Sequence, residues 1–165
     1  MDKRNRPVTE FLAIYLRDQL ALGVTWRAVA RRARDNNKGT PLGAALAEVA
    51  DAIAEDVRTF EAIMRALGVR PNPAKVVLAS VAERFGRLKR NGRWLSYSPL
   101  SRFLELEILA MGIEGKKILW STLGELAGLR ERLPGTDFDE LLARAARQRE
   151  TLEPFRREAG VHAFA

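Results

Sequence analysis

Apolar positions recur along most of this chain at intervals of three and four, the period of an amphipathic helix, and no useful length alternates as a strand would. The spacing of Val8, Leu12, Tyr15, Leu22, Trp26, Val29 and Ala33 predicts a first helix over about residues 8–34. The polar stretch Asp35-Asn36-Asn37-Lys38-Gly39 ends it, and Thr40-Pro41 supplies the N-cap and first residue of a second helix. That second helix, over about 41–67, is the most regular, with Leu42, Leu46, Val49, Ile53, Val57, Phe60 and Met64 in phase and Gly68 as its stop. Asn72-Pro73 and Ser98-Pro99 repeat the start signal, predicting a short helix over about 73–90 and a long one over about 99–129. Thr136 or Asp137 caps a last helix over about 137–158, which Pro154 is expected to kink or to bring to an end.

The short helix falls between the second and third long ones. That order implies two hairpins joined by a long crossover rather than simple up-and-down succession. The expected fold is therefore all-α: one domain over residues 1–165, a ferritin-like four-helix bundle whose long crossover carries a short extra helix.

Placing each helix on a wheel at about 100° per residue exposes charged residues on apolar faces. In the 99–129 helix, Leu100, Leu104, Met111 and Ile118 share an arc that includes or borders Glu107 and Glu114, with Lys116 on the polar side. Asp56 projects between Val49 and Ile63, Gln19 lies in the centre of the first stripe with Asp18 at its edge, and Arg149 projects between Phe138 and Leu142. Burying a charge is costly unless it is paired. One buried polar layer of Asp18, Gln19, Asp56, Glu107, Glu114 and Arg149 is the expected solution, Arg149 contacting Asp56, Glu107 or Glu114.

Tyr15-Leu16-Arg17-Asp18-Gln19-Leu20, Ile53-Ala54-Glu55-Asp56 and Met64-Arg65-Ala66-Leu67-Gly68-Val69-Arg70-Pro71 resemble stretches of uncharacterised bacterial helical proteins related to the ferritin-like bundles. Gly86-Arg87-Leu88, Ser98-Pro99-Leu100-Ser101 and Arg147-Gln148-Arg149 carry the same resemblance. It implies the fold more than an activity. Ferritin-like di-iron proteins draw a glutamate from each of two helices and Glu-x-x-His from each of the other two. This chain departs from that pattern: Thr59 follows Asp56 at the third position, Ala110 follows Glu107, and Glu153 follows Glu150. The expected interior is a salt-bridged relic with no metal and no cofactor. The alternative is a divergent carboxylate set around Asp56, Glu107 and Glu114 that holds a hard cation.

Composition narrows the chemistry further. The chain has no cysteine, which excludes disulfides, thiolate catalysis and cysteine-bound metals, and its lone histidine, His162, leaves no core Ser-His-Asp triad. The expectation leans against an enzyme. The net charge of +7 favours acidic partners, and Arg84, Arg87, Lys89, Arg90 and Arg93, followed by Trp94 and Tyr97, form a basic patch suited to an acidic partner or nucleic acid. The same cations also suit helix C-termini, and nucleic acid ranks behind a protein partner. No apolar run is long enough for a membrane span, and the N-terminus lacks a clean secretion signal, so a cytoplasmic chain is expected. Ile113 and Trp120, on a different side of the 99–129 helix from Met111 and Ile118, leave a face for a second copy of the chain or another protein. The leading function is an interaction or structural module.

Overall fold

The computed structural model describes residues 7–72 and 97–165, and every regular element among them is helical. Helix α1 spans Glu10–Asn36, α2 Pro41–Ala66, α3 Pro99–Ser121, α4 Leu129–Arg132 and α5 Phe138–Phe164, with a π-turn at Thr122–Leu126 between α3 and α4. The expected helix over 73–90 lies outside the described residues. No helix among them is long and apolar enough to cross a membrane.

Side-chain caps set the starts. Thr9 accepts from the Leu12 amide, Thr40 from Gly43, Ser98 from Ser101, and Asp137 from both Asp139 and Glu140. Each cap satisfies a donor that the first turn leaves without a partner. The proline-marked starts at Pro41 and Pro99 fall where the sequence puts them. Two ends do not. The α-helical part of α3 stops at Ser121, where the ladder widens so that Ala127 N donates to Thr122 O at 2.9 Å, and Gly128 then turns the chain with φ +65°. Leu123 and Leu129 are both fully buried as a result. Helix α5 does not end at Pro154 but continues to Phe164. Pro154 and Glu150, whose carbonyl loses its donor there, are both exposed, so water can satisfy the group, while Leu152 and Ala159 anchor the helix on either side.

Contacts along the helices define the topology. Gly23 lies against Val57, Arg17 reaches the Arg70 carbonyl, and Asn37 sits beside Gly43, so α1 and α2 are antiparallel. Phe103 meets Phe164 edge-on at 5.1 Å and Glu107 pairs with Arg156, so α3 and α5 are antiparallel as well. Arg32 and Glu105 join α1 to α3 antiparallel to it, and Glu55 and Arg144 join α2 to α5. Helices α2 and α3 therefore run the same way, and α2 ends at the opposite end of the molecule from the start of α3. The interior has two apolar zones. One is built around Leu46, Ile53, Phe103, Leu109, Ile113 and Leu152, the other around Leu16, Val57, Phe60, Trp120, Leu123 and Phe138.

The α3 face predicted to be buried is a correction. Phe103, Leu106 and Leu109 are buried together with Ile113 and Trp120, the two residues expected to offer a face to a partner, whereas Met111 and Ile118 are 62% and 68% exposed. Apolar residues stand on two sides of the helix, so their presence on one of them does not choose the face.

The tightest junction is at the start of α2. A Cβ on Gly43 would fall on the Asn37 carbonyl, 2.8 Å from its carbon, whereas one on Gly115 meets nothing within 4 Å. Gly43→Ala is expected to lower unfolding free energy by about 1–3 kcal/mol. Gly115→Ala, in open space on a helix, is expected to raise it by up to about 1 kcal/mol. Urea unfolding of the two variants checks both signs.

Candidate functional site

The two apolar zones meet at a layer of polar side chains. Asp56 on α2 is 3% exposed and Gln148 on α5 is 4% exposed. Lys116 on α3 donates from Nζ to Asp56 Oδ2 and to Gln148 Oε1, and Gln148 Nε2 donates to the same Asp56 oxygen at 3.0 Å. Arg144 approaches Asp56 Oδ1 at 2.6 Å as an ion pair without hydrogen-bond alignment, and donates to Glu55 at 2.6 Å on its outer side. Burial pushes the Lys116 pKa below the ordinary amine range and the Arg144 charge adds to that; Asp56 opposes both. Asp56 Oδ2 is thereby satisfied while Oδ1 keeps only the Arg144 ion pair, and removing Lys116 or Arg144 leaves charge uncompensated.

Asp56 is the one member of the expected layer that is buried. Glu107 is half-buried and pairs with Arg156 at 3.3 Å; Glu114 is exposed and pairs with Lys117 at 2.9 Å. Of the contacts expected of Arg149, the one to Glu114 is present at 3.6 Å, but it lies with the 2.5 Å pair to Glu153 away from Asp56. Asp18 is exposed, and Gln19 is half-buried at the wall of a cleft. The expected layer is therefore corrected: α3 turns its Glu107–Glu114 line outward, because Lys116 and not either glutamate has the buried partner.

Lys116, Gln148 and Arg144 are the residues missed. Two of them had a legible signal. Buried residues follow a four-three-four spacing in Val49-Ile53-Asp56-Phe60, Leu109-Ile113-Lys116-Trp120 and Leu141-Ala145-Gln148-Leu152. Asp56, Lys116 and Gln148 hold the same place in all three runs. The matching run in α1 is Leu16-Leu20-Gly23, where no side chain is offered.

At that level a cleft of about 270 Å³ opens between α1, α2 and α3. Its walls include Leu20, Trp26, Phe60, Leu119 and Trp120, and Asp56 and Lys116 also line it. The Trp26 ring packs on the α3 backbone, a Cβ on Gly112 being only 2.7 Å from it. Among the described residues no group of three or more His, Asp or Glu side chains is placed to hold a metal ion.

Of the basic patch, Arg84, Arg87, Lys89, Arg90, Arg93 and Trp94 lie outside the described residues. Tyr97 is half-buried; its hydroxyl donates to Glu105 at 2.9 Å and accepts from Asn37 at 3.0 Å, so it ties α3 to the end of α1, and Arg102 lies over its ring at 5.6 Å. Burial pushes its pKa up to about 12, with Glu105 adding to the rise and the Asn37 hydrogen bond opposing it. His162 is exposed on the last turns of α5.

Asp56→Ala leaves the Lys116 ammonium without its anion and Arg144 with Glu55 alone, and is expected to cost about 3–5 kcal/mol in guanidinium unfolding. Replacing Asp56, Lys116 and Gln148 together by Leu, Met and Leu should recover most of that loss. Tyr97 sets an alkaline limit. Its phenol ionises at an ordinary value of 10 when unfolded and about 12 when folded. Between those values the unfolded chain holds fewer protons, so stability is complete below pH 10 and falls as pH rises towards about 12. Thermal melts of Tyr97→Phe across that window should lack this part of the decline. Comparisons with protein-family models, curated proteins and solved structures find no match for the chain.

Proposed function

We propose that this chain is a ferritin-like helical module of the bacterial cytoplasm that binds a partner and turns over no substrate. The observation that carries the reading is Lys116, an ammonium supplying the positive charge beside the interior carboxylate. Di-iron proteins of the ferritin-like kind converge carboxylates and histidines from facing helices. Here Asp56 faces Lys116 and Arg144, Glu107 faces Arg156, and Glu114 faces Lys117 and Arg149. Two antiparallel pairs, with α2 ending and α3 beginning at opposite ends, support the one-long-crossover order.

An interaction role is supported by the outer side of α1 and α3. Leu22, Met111 and Ile118 are 49%, 62% and 68% exposed. Met111 and Ile118 are one heptad apart and so lie along one line, and Leu22 lines the same cleft as Met111. Large apolar side chains grouped in this way are what a self-complementary contact uses, and the occupant proposed is a second copy of the chain. The metal-binding alternative rests on carboxylates that are each already paired with cations. The nucleic-acid alternative rests on the net charge of +7.

Sedimentation equilibrium should show a dimer whose dissociation constant rises at least tenfold in Ile118→Glu. A monomer throughout the micromolar range would sink the second-copy reading. Elemental analysis after exposure to Fe²⁺ and Mn²⁺ should find no bound metal, and stoichiometric metal lost in Glu107→Gln or Glu114→Gln would reopen metal chemistry.

A further inference from the structure

The cleft beside the polar layer has a shape and a floor that the partner-binding reading does not use. An apolar cavity of about 150 Å³ accepts benzene, so about 270 Å³ corresponds to roughly ten or eleven heavy atoms. That is a medium-length acyl chain or one substituted ring, just below the usual range for larger ligands. The walls are aliphatic and aromatic side chains, and two glycines keep the space clear. A Cβ on Gly23 would meet only Val57, at 3.5 Å, and one on Gly115 meets nothing within 4 Å. Both glycines line the cleft, which adjoins solvent at the exposed Leu22 and Met111.

The floor is chemically asymmetric. An ammonium carries three N–H donors. Lys116 commits donors to Asp56 Oδ2 and Gln148 Oε1, and among the described residues no further acceptor is placed on it. Lys116 itself lines the cleft, whereas Gln148 does not. An oxygen arriving through the apolar passage therefore meets a donor with capacity left, beside a carboxylate that is already held by Lys116, Arg144 and Gln148. A cationic head group would instead meet Lys116 as a like charge.

We propose that this cleft binds a small amphiphile, an apolar body of about ten heavy atoms with one oxygen-acceptor head that accepts a hydrogen bond from Lys116. The head is a carboxylate or a hydroxyl, and the body lies between Trp26, Phe60 and Trp120. The site goes beyond the proposed pairing of chains, with which it shares Leu22 and Met111 at the mouth of the cleft.

Trp26 and Trp120 both line the cleft, so intrinsic fluorescence of the full chain, with calorimetry alongside, reports its occupancy. The probes are octanoate, octanol and octylamine at equal concentrations below their micelle thresholds. Octanoate or octanol should bind saturably at one site per chain, and octylamine at least tenfold more weakly. Gly115→Leu, which puts a side chain into the open space at the cleft, should weaken binding at least tenfold while the far-ultraviolet circular dichroism stays unchanged. Lys116→Met should weaken the preferred oxygen-headed probe by about tenfold and leave toluene binding unaltered. Should Lys116→Met fail to fold, Gly115→Leu and the head-group series carry the test by themselves. Absence of saturable binding for every probe, a preference for octylamine, or binding indifferent to Gly115→Leu would each overturn the proposal.

Discussion

The interior of this protein is organised by one ion, the Asp56 carboxylate at 3% exposure. An isolated buried carboxylate is not tolerated in a close-packed apolar interior, so the surroundings must bring charge and hydrogen bonds to it. Lys116 comes from α3, and Gln148 and Arg144 come from α5. Three helices are thereby fixed in height and rotation relative to one another, since a shift by one residue would withdraw the acceptor on α2 or a donor on α3 or α5. Leucines and phenylalanines on either side add burial energy, but many registers satisfy them. Such a polar contact selects among packings that apolar side chains alone leave nearly equal in energy.

That same demand settles which side of α3 faces inward. Turning Met111 and Ile118 inward would carry Lys116 to the outside, leave Asp56 with Arg144 and Gln148 alone, and turn the buried Ile113 and Trp120 towards solvent. Charge compensation and the burial of Ile113 and Trp120, worth about 1.5–3 kcal/mol for a side chain of this kind, favour the same face. The consequence is an exposed apolar line on α3 and a cleft beside it.

Much of the fold was legible because it is local. Caps and prolines at Thr40-Pro41, Ser98-Pro99 and Asp137 act within a turn, and the elements they start are found where expected. The end of α3 was not legible, because the π-turn answers to Leu123 and Leu129 finding the same core and not to any neighbour in sequence. Nor was the persistence of α5 beyond Pro154, which depends on that side of the helix facing water. Of the polar layer, Asp56 was visible and its partners were misassigned. A wheel weighs hydrophobicity residue by residue, and a lysine scores as surface wherever it stands. Comparing the four-three-four runs across helices would have aligned Lys116 and Gln148 with Asp56. Arg144 lies off those runs and reaches Asp56 from the side.

The alternating directions of the four long helices have an electrostatic consequence beyond packing. Each peptide ladder carries a macrodipole equivalent to roughly half a charge of opposite sign at its two ends. With α1 and α5 running one way and α2 and α3 the other, every neighbouring pair is opposed, and each end of the molecule presents two positive and two negative helix termini in alternation. Their fields close locally and fade within a short distance. Far from the surface, what an approaching molecule senses is the side-chain charge of +7 and its distribution. Attraction of acidic molecules at long range thus belongs to the side chains and not to the helix ends.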